Sequence, residues 1–182
     1  MSSTVGTKHQ DSYREQDIVQ AFVEILTSGA PVMATVLRHL ISTANTTPAP
    51  AIFMHCTTGN NRTGIFISLL LLLVDVPQEL IIREYTLSNA GLAPTKHINV
   101  ERLLKKGAFE EYGAVEARRK CERMVGARGE SMSALLAEVE RRWGGADGYF
   151  GDVVGLTAEE VGRIRRVLTA EGEGDLGSKT GT

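Results

Sequence analysis

The residues best suited to chemistry in this 182-residue chain stand together in one run, His55-Cys56-Thr57-Thr58-Gly59-Asn60-Asn61-Arg62-Thr63-Gly64. Five residues separate Cys56 from Arg62, with Gly59 among them and Thr63-Gly64 behind. A loop of this kind, closing on the start of a helix, can turn its backbone N–H groups inward as an anion cradle. The helix N-terminus adds roughly half a positive charge, which favours a bound dianion. Gly59 lets the chain turn where a side chain would be strained. Arg62 offers a planar fork that can grip two phosphate oxygens.

The chemistry this pattern suits is attack on a phosphate ester. The cradle's field should lower Cys56 below the ~8.5 of a free thiol. The thiolate would attack phosphorus in line, and water would hydrolyse the cysteinyl-phosphate. Cys56 is then the nucleophile, and Arg62 binds phosphate and stabilises the transition state. Thr57, Thr58, Gly59, Asn60 and Asn61 supply loop amides, and the Thr63 hydroxyl assists release of the thiolate. His55 and Gly64 support the loop. A cysteine alone after a strand is more often a small buried hydrophobe. Here Cys, Gly, Arg and Thr-Gly at fixed offsets favour the anion site.

Elements on either side must hold this loop. Ala51-Ile52-Phe53-Met54-His55 reads as a short buried strand leading into it. A helix from about Arg62 to Val74 leads out, apolar nearly all round and therefore central to the core. Upstream, Ser12 and Glu15 form a capping-box pattern ahead of a helix carrying Ile18, Phe22, Ile25 and Leu26. Gly29 and Pro31 predict its end. A second helix with Val32, Val36, Leu40 and Ile41 on one face is expected next, then a loop from Thr43 to Pro50. Downstream, a helix begins after Pro77 with Leu80, Ile81, Tyr85 and Leu87 on its buried side, and Asn89-Ala90-Gly91 breaks it. Helices near Val100–Lys105, Phe109–Met124 and Ser131–Trp143 follow. The last, capped by Thr157 and Glu160, runs to about Leu168. A lone strand leaves its backbone N–H and C=O groups unpaired. Another segment, or another chain, should pair with Ala51–His55.

Composition excludes several classes. A net charge of −2 and a pI near 6.1 give no support for a nucleic-acid binder. Two cysteines, Cys56 and Cys121, do not make a disulfide framework. Met1–Gln10 has no secretory pattern. The greasiest stretch, Ile65–Val76, is too short for a bilayer, which takes roughly 20 apolar residues. The expectation is a cytoplasmic protein with no transmembrane segment. No cluster at metal-ligand spacing is visible, so neither metal nor cofactor is expected. Asp11, Glu15 or Asp17 could serve as an acid, but charge at a helix end explains them as well. His97 reads as an exposed loop residue. Cys121 lies among Arg118, Arg119, Lys120 and Arg123, a setting that can lower a thiol's pKa; a structural thiol on a solvated basic face is the plainer account.

His-Cys-x-x-Gly-x-x-Arg-Thr-Gly resembles the protein-tyrosine-phosphatase signature, and the chain is most similar to the atypical bacterial and fungal tyrosine phosphatases. Tyr85-Thr86-Leu87-Ser88-Asn89 is similar to that family's Asp-Tyr-Leu-x-x-Asn segment. Trp143-Gly144-Gly145 through Tyr149, with Gly155-Leu156-Thr157, is similar to its C-terminal helices. The resemblance implies an α/β, tyrosine-phosphatase-like fold, helix-rich, with a short and incomplete central sheet. The phosphatase-like domain should cover residues 12–170, with 1–11 and 171–182 as flexible tails. The implied substrate is a phosphotyrosine protein, or a serine/threonine-phosphorylated protein or phosphorylated lipid, as some members accept. Two departures stand out. The family's Lys-Asp is replaced by Asn60-Asn61, and the aspartate is the family's implied general acid. The family's strand-rich first half, with its Phe-Arg-Asp-Leu-Gly-Gly segment, has no counterpart here. That implies a shortened domain, or one completed by self-association or a partner chain.

Overall fold

A single helix, α1 (Val5–Thr43), spans the first quarter of the chain, although Gly29 and Pro31 predict a break. In the computed structural model, residues 5–46 and 52–169 are described, with side chains from Ile18 onward. The helix start expected at Ser12–Glu15 is not there: the helix already runs from Val5, so Ser12 and Glu15 lie inside it, and the side chains of these two and of Asp11 and Asp17 are outside the described residues. Ala51 at the head of the expected strand and residues 170–182 also lie outside them. Pro31 forfeits one backbone hydrogen bond and crowds the preceding turn, at about 3 kcal/mol in a helix interior. The apolar face crosses it without a change of phase: Phe22, Leu26, Ala30, Met33, Leu37 and Ile41 are all buried. Burial along the whole face offsets the local loss. Of the expected second stripe, Ile41 is buried and Leu40 packs against the core, whereas Val32 is exposed.

Ile18–Thr43 within α1 is long and apolar enough, by length and composition, to cross a membrane. Splitting it at Pro31 hid this in the sequence. In the fold, α1 packs along α2, α6 and α8.

α2 (Asn61–Leu73) is the central helix, with Ile65, Phe66, Leu69, Leu70 and Leu73 buried. α3 (Gln78–Leu92) follows Pro77 and buries Ile81 and Tyr85, whereas Leu80 and Leu87 face outward. It runs through the expected break at Asn89, which has another use described below. α4 (Lys96–Lys105) and α5 (Ala114–Val125) pack on each other around a small core of Val100, Cys121 and Val125. α6 (Gly129–Trp143) ends at Gly144 and is followed by the short α7 (Ala146–Gly148) and a π-turn over Tyr149–Val153. α8 (Ala158–Thr169) starts as the sequence predicts: the Thr157 N–H donates to Glu160 Oε2 at 2.8 Å, and the Glu160 N–H to Thr157 Oγ1 at 3.1 Å. α1 and α2 carry no basic residue in their last turns. α8 supplies two: Arg163 donates to Ile41 O at 2.9 Å and Arg165 to Leu73 O at 2.8 Å. These satisfy carbonyls that a helix end leaves orphaned.

The expected central sheet is not found: among the described residues there is no strand. Residues 52–56 carry no regular secondary structure. The physical reason is the one the sequence raised. A strand exists only beside a partner, and none of the described segments lies alongside to pair with it. Ile52 and Phe53, expected to be buried, are 40% and 87% exposed.

α2 and α3 approach each other closely at Gly64. A Cβ added to Gly64 would lie 2.7 Å from Cδ2 of the buried Tyr85 ring. Gly64→Ala should therefore destabilise the fold by about 1–3 kcal/mol, the usual cost of overpacking. In a thermal melt the loss should shrink when Tyr85→Ala accompanies it. A Gly64→Ala protein melting with the parent would show that the helices are not held this closely.

Candidate active site

The segment after Met54 reaches Cys56 and turns through Thr57, Thr58, Gly59 and Asn60 directly into α2. Gly59 makes the turn with φ +72°, a left-handed conformation that glycine adopts without strain. No acidic residue occupies the first turn of α2, and no side chain caps its N-terminus. The amides there are left for another acceptor.

That acceptor is the Cys56 sulfur. Partial burial pushes the thiol up, as desolvation does for any group that ionises to an anion. The Thr63 amide and hydroxyl, with the amides of Thr58 and Gly59, all donate to the sulfur and outweigh burial, bringing the thiol down from 9.0 to about 6. Donors from both ends of the loop thus converge on one atom. Arg62, in the first turn of α2, reaches back across the loop and donates from Nη2 to Thr57 Oγ1 at 3.3 Å. His55 is exposed, and its Nδ1 lies 2.9 Å from Cys56 O. Gly64 is the contact with Tyr85 described above.

The two asparagines show what sequence reasoning missed. Asn60 is 1% exposed, and its Nδ2 donates to Val125 O at 2.9 Å. Asn61 Nδ2 donates to Met124 O at 2.9 Å, while the Tyr85 hydroxyl donates to Asn61 Oδ1 at 3.4 Å. Asn89 grips the next residues along: its Nδ2 donates to Ala127 O at 2.6 Å, and its Oδ1 accepts from the Ala127 N–H at 2.9 Å. The only sequence signal was residue type, since the carbonyls that Asn60 and Asn61 donate to lie 65 and 63 residues away. Asn61 also lines a largely apolar cavity of ≈ 170 Å³ with Phe22, Ile25 and Met124, whose wall includes Arg119, Lys120 and Arg123.

The other candidates lie elsewhere. Cys121 is buried between α4 and α5, and burial pushes its thiol up despite the opposing charge of Arg118. His97 is exposed, but in the first turn of α4 and not in a loop. Among the described residues, no group of three or more His, Cys, Asp or Glu side chains is placed to hold a metal ion.

Comparison with known proteins gives two kinds of match. The profile described as "Tyrosine phosphatase family" matches residues 2–170. A tyrosine-protein phosphatase of Nostoc commune is 26% identical over 172 residues, which cover 90% of this chain and 54% of that protein. The triple specificity protein phosphatase PtpB of Mycobacterium tuberculosis is 26% identical over 122 residues, covering 64% of this chain and 43% of that protein. The chain thus spans about half the length of these curated relatives.

The loop geometry predicts how Cys56 titrates. Its alkylation by iodoacetamide should rise with pH about a midpoint near 6. Thr63→Val removes the hydroxyl donor and should move the midpoint up. The folded value lies below the unfolded one, so the thiolate's contribution to stability is fully present above the ordinary thiol value and is lost as pH falls through about 6. A midpoint near 9.0, the unperturbed value, would mean that the donors do not converge.

Proposed function

The chain belongs to the tyrosine phosphatase family, and from that premise we propose that it hydrolyses phosphate monoesters with Cys56 as nucleophile. The observation that carries this reading is the set of four donors on the Cys56 sulfur, which favours a thiolate at neutral pH. The thiolate attacks phosphorus, a sulfur–phosphorus bond forms, and the ester P–O bond breaks on the opposite side. The leaving oxygen takes up a proton. Water then attacks the phosphorus of the cysteinyl-phosphate, the sulfur departs as thiolate, and inorganic phosphate is released. The amides of residues 57–61 and the Arg62 guanidinium hold the phosphoryl oxygens, and the Thr63 hydroxyl stabilises the departing sulfur.

Phosphotyrosine protein is the leading substrate in this reading. Its leaving group is a phenol of pKa about 10, an easier departure than the alkoxide of serine or threonine. Asn61 has no acidic proton to donate, so water must supply one. The apolar cavity beside Asn61 supports a substrate with an apolar portion, and a phosphorylated lipid is the alternative. The exposed Ile52 and Phe53 support a further reading, that a strand from this chain or another pairs alongside them.

A second reading is a phosphate-binding module with little or no turnover. It is favoured by Asn61, whose side chain is engaged with Met124 and Tyr85. Turnover separates the two. The purified chain should hydrolyse aryl phosphates, with rates falling steeply as leaving-group pKa rises, and Cys56→Ser should cut the rate by more than ~10³-fold. Binding of vanadate without hydrolysis of any aryl phosphate would favour the second reading. Unchanged hydrolysis by the serine variant would overturn the assignment of the nucleophile.

A further inference from the structure

We propose that Asn60 and Asn61 are positioning residues, which hold the phosphate cradle in its working shape by fastening it to the last carbonyls of α5. The inference deepens the phosphatase reading and rests on it. Three observations carry it. The first is order along the chain. The sulfur's donors are Thr58 and Gly59 on one side and Thr63 on the other. Asn60 and Asn61 stand between the two groups, so fixing them fixes the angle at which both groups meet the sulfur. A cradle of main-chain donors works only while they stay convergent.

The second observation is the kind of residue used. Asn60 is buried, and its Oδ1 has no hydrogen-bond partner among the described residues. Leaving a buried amide oxygen unsatisfied is unfavourable, and an apolar side chain at this position would avoid it. What an apolar side chain cannot do is donate to Val125 O. Asn61 has the same logic with both ends used: the Tyr85 hydroxyl donates to its Oδ1, and its Nδ2 donates to Met124 O. An aspartate there would accept from Tyr85 but have nothing to donate to Met124 O.

The third is the mounting of α5. Its close packing is with α4 and the Glu110–Tyr112 turn, around their own small core. The place where this hairpin meets the loop is its C-terminal end, Met124–Val125, where both asparagines attach. Asn89 holds the adjoining Ala127 from α3 without touching the loop. The cradle and the α4–α5 hairpin therefore share one joint.

The pH profile of Cys56 alkylation by iodoacetamide tests this, read by peptide mapping so that Cys121 is counted separately. Asn60→Ala and Asn61→Ala should each raise the midpoint, so that alkylation at pH 6.5 falls several-fold, up to roughly tenfold, as the thiolate fraction drops. Asn89→Ala loosens the same turn but leaves both clamps, and should lower the melting temperature without moving the midpoint. If Asn60→Ala does not fold, Asn61→Ala, partly exposed, decides. A low midpoint in the parent and both clamp variants alike would overturn the proposal while leaving the phosphatase reading intact. An equal rise in Asn89→Ala would also overturn it, since any loosening of the turn would then suffice. An ordinary thiol midpoint in the parent would instead remove the phosphatase reading itself.

Discussion

Taking a thiol out of water favours its neutral form, and at Cys56 four hydrogen-bond donors reverse that preference. The reversal sets conditions on everything around it. Three of the donors are backbone amides, so the loop's path matters more than its side chains. Thr63 belongs to the first turn of α2, so the helix must begin where it does. That turn has no acidic residue and no capping side chain. The central position of α2 follows from its apolar surface, and burying that surface immobilises the loop attached to it.

The polar residues of the loop divide into two groups with different tasks. Cys56, Arg62 and Thr63 are the residues that meet the phosphoryl group in the proposed reaction. Asn60 and Asn61 hold the loop to its surroundings, joining it to α5 and, through Tyr85, to α3. Tyr85 is doubly placed, since its ring also sets the distance between α2 and α3 at Gly64. Burial pushes its phenol up to about 12, so it remains a hydrogen-bond donor across the ordinary pH range.

Local patterns were legible in the sequence, and long-range ones were not. The Thr157–Glu160 box, the start of α3 after Pro77 and the all-round apolar α2 are each written within a few residues, and the structure has all three. The turn after Cys56 and the helix that follows it were legible too, because Gly59 and the apolar run behind it are local signals. Pro31 misled because a local breaker competes with a face of buried residues some 20 positions long, and the face wins. The strand over Ala51–His55 misled for the opposite reason: its sequence suits pairing, but pairing depends on a neighbour that the segment cannot specify. Asn60 and Asn61 read as cradle residues, and nothing nearby could reveal Met124 and Val125 as their partners.

The two arginines of α8 impose an order on how the molecule is completed. Arg163 lies 122 residues after the carbonyl it satisfies on α1, and Arg165 lies 92 residues after its own on α2. As a ribosome extends the chain, both earlier helices emerge before the arginine that reaches each end, and α2 carries the Cys56 loop at its other end. N-terminal segments are made first and begin to organise first, yet the final fastening here arrives with the last helix described. The ends of α1 and α2 thus receive these two donors only once α8 has been made.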